Sequence, residues 1–156
     1  EVFVADGYGN RRIVVFDGAT GKYLRHWGAY GKRPEDPPPP PPGAPNPGAP
    51  PRSPATAALA PPAQFRIPHG ITGSRDGLLY LADRGNNRIQ VFDSQGNYVR
   101  QFSPVKLSPE RGGVSDWQVL GVEVNQDLVY AVDSLNNLIW VFTLEGELVR
   151  RVEAHR

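Results

Sequence analysis

Cysteine does not occur in this chain, so neither a disulfide framework nor a thiolate metal site can be built, and the redox compartment leaves no mark. Methionine is missing too, even at position 1, and Glu1 opens directly onto the apolar run Val2-Phe3-Val4-Ala5. The expectation is a processed or truncated sequence. An excess of one charge is also lacking: 17 Lys and Arg face 16 Asp and Glu for a net +1, with no basic block. That balance argues against nucleic acid or an anionic membrane surface as a partner. No run approaches the roughly 20 apolar residues that cross a bilayer, and no charged-then-apolar leader opens the chain, so no membrane insertion is expected.

What is present is repetition. The stretch VADGYGNRRIVVFD, Val4 to Asp17, returns as LADRGNNRIQVFD and again as AVDSLNNLIWVFT. Aligning Asp83 with Asp133 superposes Asn86-Asn87 on Asn136-Asn137, Ile89 on Ile139, Val91-Phe92 on Val141-Phe142 and Gly96 on Gly146, fifty residues apart without a gap. Asp6 begins the same series after one extra residue near Gly7. A repeat of this length, made of short β-rich segments joined by Gly and Asn turns, marks a propeller or related array.

Each unit resolves into strands. Leu78 to Ala82 is almost wholly apolar, as a strand covered on both faces must be, and Arg88 to Phe92 alternates polar with apolar. Tyr98 to Phe102 alternates with more polar residues and reads as the outer strand. His69-Gly70-Ile71-Thr72 ahead of them reads as the inner strand of a four-stranded meander. Unit one starts at its second strand, and the total is about eleven strands. The predicted fold is therefore all-β, an NHL-type β-propeller of about three blades. Closed rings hold about four to eight blades, so this is half of a six-bladed ring, completed by remaining blades, a second copy or another subunit.

The organisation that follows is blade one over residues 1–33, lacking its inner strand; an insertion over 34–62; blade two over 63–103; a linker over 104–117; and blade three over 118–156. The insertion holds fourteen of the seventeen prolines, including the unbroken run Pro37 to Pro42, which cannot donate to a sheet and favours polyproline II. It reads as a surface loop across the propeller, or as a docking ligand for a proline-recognition module or partner subunit.

Asp6, Asp83 and Asp133 recur at the end of a strand, before a turn whose amides and a nearby Arg12 or Arg88 can donate to them. Recurrence in every unit points to scaffold, since a site needs one copy. Leu138 takes the arginine's place in unit three. More telling are the differences: after the aspartate come Tyr8 (beyond Gly7), Arg84 and Ser134 in turn, and His69 heads the inner strand of blade two.

Asp6-Gly7-Tyr8-Gly9-Asn10-Arg11-Arg12-Ile13, Ile67-Pro68-His69-Gly70-Ile71 and Ala82-Asp83-Arg84-Gly85-Asn86-Asn87-Arg88-Ile89 closely resemble, in order, the NHL-repeat propeller of the peptidyl-α-hydroxyglycine α-amidating lyases. Bacterial NHL proteins of unassigned activity look similar. The resemblance spans residues 1 to about 102 outside the insertion. It implies that Tyr8 and Arg84 are catalytic and that His69 ligates zinc. The other zinc histidines of that family come from blades outside this chain, so the ligand set here is incomplete; His26 falls in an outer strand and His155 in the tail. Gly9 stands where the animal enzymes have a disulfide cysteine. If active, the chain would be a zinc-dependent N–C lyase releasing glyoxylate and an amide, with a peptide ligand. A metal can polarise the substrate oxygen, a phenol beside a cation can serve as base, and a guanidinium can grip a carboxylate. The alternative is a noncatalytic protein-interaction or structural propeller subunit. An RNA-binding role, known for some NHL domains, fits poorly with the near-zero charge. A secreted or periplasmic home is implied by resemblance alone.

Overall fold

A computed structural model describes residues 1–35, 63–104 and 117–153. Most of the proline-rich insertion, including Pro37 to Pro42, most of the expected linker, and His155 lie outside the described residues. Among the described residues the strands form three antiparallel sheets. The first contains β1 (Val2–Asp6), β2 (Arg12–Phe16) and β3 (Tyr23–Trp27) in that order. The second runs β4 (Pro68–Gly73), β5 (Leu79–Asp83), β6 (Arg88–Phe92) and β7 (Tyr98–Phe102). The third runs β8 (Val119–Asn125), β9 (Leu128–Asp133), β10 (Leu138–Thr143) and β11 (Leu148–Glu153). The chain is all-β, and the sheets are successive blades of a propeller. Among the described residues no helix is long and apolar enough to cross a membrane.

Side chains on a strand alternate between faces, so a blade with neighbours on both sides buries both faces of its central strands. Blade two satisfies this. Leu79 and Leu81 face blade one, packing with Ile13, Val15, Trp27 and Phe65. Tyr80, Ala82, Ile89 and Val91 face blade three, packing with Val119, Val129, Ala131 and Phe142. All five residues of β5 and all five of β6 are buried in consequence. Burying one such aliphatic side chain is worth about 1.5–3 kcal/mol, so the two inter-blade layers supply most of what orders the blades. The outermost strand, β11, is exposed along its whole length.

Two irregularities recur and set geometry. The pairing of the third and outer strands slips at Val15/Phe16, Val91/Phe92 and Val141/Phe142, one bulge per blade at the same place. The pairing of the inner and second strands slips at Pro68/Gly70 and Val119/Gly121, leaving His69 and Leu120 as the bulged residues. Blades are also latched at the outer edge. Gly96 and Gly146 sit in equivalent turns at φ +91° and +93°, and a Cβ on either would meet the ring of Trp27 at 2.6 Å or of Phe102 at 2.4 Å, the last residues of the preceding blade's outer strand. Gly21 occupies the same turn of blade one, where nothing lies within 4 Å.

Candidate functional site

Each second strand ends in a buried or half-buried aspartate that organises the loop after it. Asp83 accepts from Arg88 Nε (2.8 Å), Asn86 Nδ2 (2.8 Å) and the backbone N–H of Arg66 (2.8 Å). Asp6 accepts from Arg12 Nε (2.9 Å) and Asn10 Nδ2 (2.8 Å). Asp133 accepts from Asn136 Nδ2 (2.8 Å) and the N–H of Gln118 (3.1 Å), and the indole N–H of Trp140 (3.1 Å) takes the arginine's place. Burial pushes the Asp83 carboxyl up, against the pull of Arg88, Asn86 and the Arg66 amide. Burial acts likewise on Asp133, but Asn136, Trp140 and the surrounding amides outweigh it and hold that carboxyl below the usual carboxylate range. The scaffold reading of the three aspartates agrees with these contacts.

The hubs fix where the variable residues point. Tyr8 lies on the loop from β1 to β2, Arg84 opens the short 3₁₀ turn Arg84–Asn86 after β5, and His69 is the bulged residue of β4. A bulge re-aims the side chain of its extra residue. The loop carrying Tyr8 leans on blade two so closely that a Cβ on Gly7 would stand 2.0 Å from the carbonyl oxygen of Pro68. Only glycine permits that approach, and it brings Tyr8 beside His69, ring centroids 5.9 Å apart at 63°.

Tyr8, His69 and Arg84, singled out from the sequence, therefore converge. Arg84 Nη1 donates to the Tyr8 hydroxyl over a long 3.4 Å, and Arg84 Nη2 to Gln118 Oε1 at 3.5 Å. Ser134 Oγ donates to the same Gln118 oxygen at 3.1 Å. The Arg84 Nε is buried and carries no hydrogen bond among the described residues. Tyr8 is 62% exposed, which leaves its hydroxyl open to a ligand. A phenol, an imidazole and a guanidinium thus share one mouth, a set able to hold a carboxylate and exchange a proton. Gln118 and Ser134 extend this row across blade three. Ser134 was legible as the blade-three counterpart of Arg84, whereas nothing in the sequence marks Gln118. His26 belongs to β3 and its Nδ1 is 2.7 Å from the Tyr23 hydroxyl, away from this cluster.

Zinc takes three or four protein ligands. Among the described residues no group of three His, Cys, Asp or Glu could hold a metal ion, so His69 stands as a single donor and the described residues do not by themselves fit a zinc centre.

Comparison with known proteins agrees with the fold. The NHL repeat family matches residues 65–92, the span from Phe65 to Phe92 that holds His69 and Arg84. The chain is 36% identical over 116 residues to peptidyl-glycine alpha-amidating monooxygenase A of Xenopus laevis, covering 72% of this chain and 10% of that protein. Among solved structures it superposes on the structure of U3-55K (TM-score 0.61, 14% identity, 99% of this chain, 36% of that chain). It also superposes on the RRP9 WD40 repeats (TM-score 0.60, 14% identity, 99% of this chain, 35% of that chain). At that identity the two structures show the fold alone. The chain thus carries an NHL repeat, is related to the amidating monooxygenases, and corresponds to part of a propeller.

Proposed function

We propose that this NHL-repeat propeller segment carries a lyase site of the α-hydroxyglycine-cleaving kind, with Tyr8 and Arg84 as its catalytic residues. The observation that supports the reading is the meeting of Tyr8, His69 and Arg84 at one mouth, contributed by two blades and separated in sequence by up to 76 residues. Arg84 binds the carboxylate of the substrate, its guanidinium standing beside the Tyr8 hydroxyl. Tyr8, acting in its phenolate form, takes the proton of the α-hydroxyl as the N–C bond breaks; the bond's electron pair goes to nitrogen and the oxygen becomes the carbonyl of glyoxylate. The same phenol returns the proton to the nitrogen, giving the amide, so atoms and charge balance with no oxidant. His69 flanks the phenol. Zinc held at His69 belongs to this reading and needs at least two ligands from outside the described residues, so no step is assigned to it. The ring is completed by remaining blades, a second copy or another subunit, in a secreted or periplasmic setting.

The test is glyoxylate release from an α-hydroxyglycine peptide by the full protein. Tyr8→Phe is expected to lower kcat about 10²–10⁴-fold, the usual contribution of a positioned acid–base group. Arg84→Ala is expected chiefly to raise KM. Metal analysis of the same samples reads zinc per chain and its loss in His69→Ala. No turnover and no zinc in the native assembly would overturn the lyase reading and leave the interaction-scaffold alternative.

A further inference from the structure

Arg84 is half-buried and, among the described residues, has no carboxylate partner. Arg12, Arg25 and Arg88 each hold one, at 2.9, 2.7 and 2.8 Å. The Arg84 Nε carries no hydrogen bond, and Nη1 and Nη2 reach Tyr8 and Gln118 only over 3.4 and 3.5 Å, the outer limit of hydrogen bonding. A guanidinium so weakly engaged keeps its donors for an anion.

We propose that Gln118 is a specificity residue of this mouth: its carboxamide N–H groups are the second set of donors to the carboxylate that Arg84 binds, and Ser134 fixes the carboxamide's orientation. The inference deepens the lyase reading and takes the ligand's identity from it. A guanidinium only donates, so the Gln118 atom facing Arg84 Nη2 is the carbonyl oxygen. Ser134 Oγ donates to the same oxygen at 3.1 Å. That leaves Nε2 with both N–H groups uncommitted among the described residues. Oε1 and Nε2 share a carbon, so Nε2 lies within roughly 6 Å of Arg84 Nη2, a span that one carboxylate bridges with its two oxygens. The hub of blade three uses only the backbone of Gln118, whose N–H donates to Asp133 Oδ1 at 3.1 Å and whose carbonyl accepts from the Ser134 N–H at 3.0 Å. In blade two the matching carbonyl belongs to Ile67, which accepts from the Arg84 N–H at 3.1 Å and is buried and apolar. The scaffold therefore does not require a carboxamide at Gln118. A primary amide in place of the ligand's carboxylate would set its own N–H groups against those of Gln118, so the pair selects acid over amide.

The experiment titrates the full protein with glyoxylate, and separately with neutral glyoxylamide, following the Tyr8 ring signals by NMR; it needs no turnover. Gln118→Ala is expected to weaken glyoxylate binding about tenfold or more, the worth of a hydrogen bond to a charged group, and to leave glyoxylamide binding unchanged. Ser134→Ala is expected to weaken glyoxylate binding by a smaller factor. In cleavage of an α-hydroxyglycine peptide, Gln118→Ala should raise KM with kcat unchanged. Should Gln118→Ala lower the thermal midpoint, Gln118→Glu repeats the test at equal side-chain size, and its carboxylate, paired with Arg84, should weaken glyoxylate binding further than alanine does. Glyoxylate affinity indifferent to both Gln118 variants, an equal loss for glyoxylamide, or no glyoxylate binding by the unaltered protein overturns the proposal. Turnover combined with that indifference leaves the lyase reading standing. Glyoxylate binding that depends on Gln118 without any turnover overturns the lyase reading and supports the carboxylate site.

Discussion

Trp140 donates its indole N–H to Oδ2 of Asp133 over 3.1 Å, and so does in blade three what Arg88 does for Asp83 in blade two. The two donors leave different consequences. Arg88 brings a full charge to a carboxylate with 0% side-chain exposure and is itself 6% exposed, while Trp140 satisfies the oxygen without adding a second ion.

Removing one member of a buried pair strands the other. Arg88→Ala is expected to cost about 3–5 kcal/mol, because Asp83 loses its cation and Arg88 also holds the hydroxyl of Tyr30 (2.7 Å) and the carbonyl of Gln64 (3.2 Å). The equivalent Arg12→Ala, in a pair 29% and 30% exposed, should cost about 0–1 kcal/mol. Urea unfolding of both variants reads the difference, and equal midpoints would contradict it.

Acid should weaken blade three through Asp133. Its folded pKa lies below the unfolded value, so its contribution is full above about 3.9, the unfolded aspartate value, and is lost as pH falls through the folded value. Asp133→Asn is expected to flatten stability against pH in that window, measured by unfolding between about pH 5 and pH 2.

The outer latch predicts an inequality among three equivalent glycines. All have positive φ, so alanine strains each backbone, by about 1 kcal/mol. Gly96→Ala and Gly146→Ala also collide with Trp27 and Phe102, and should cost about 1–3 kcal/mol more than Gly21→Ala, which meets nothing. Thermal midpoints of the three variants decide it.

One loop supplies a paired control for the site. Gly7→Ala puts a Cβ against the Pro68 carbonyl and should displace Tyr8 from His69, abolishing ligand binding at the mouth and costing about 1–3 kcal/mol. Gly9→Ala, two residues on with open space around it, should change stability by less than about 0.5 kcal/mol. Binding of glyoxylate, followed by the Tyr8 ring signals in NMR, separates the two.

The strands, their order within each blade and the positive-φ turns at Gly96 and Gly146 were legible in the sequence, because each depends on a few adjacent residues. Alternation sets which way a side chain points, and glycine or asparagine permits the left-handed turn. Asn87 and Asn137, read as turn residues, do sit at φ 51° and 56°. Tyr8, His69 and Arg84 could be singled out as the positions where one repeat departs from the others. Their meeting could not, since it depends on the bulge at His69, on the contact of Gly7 with Pro68 and on the stacking of blade one against blade two. Gln118 and the indole of Trp140 were invisible for the same reason: each acquires its partner from a neighbouring strand or blade. Repetition along the chain dictates the unit, whereas side-chain chemistry between units arises only when packing across Leu81, Tyr80 and their neighbours brings separate loops to a common rim.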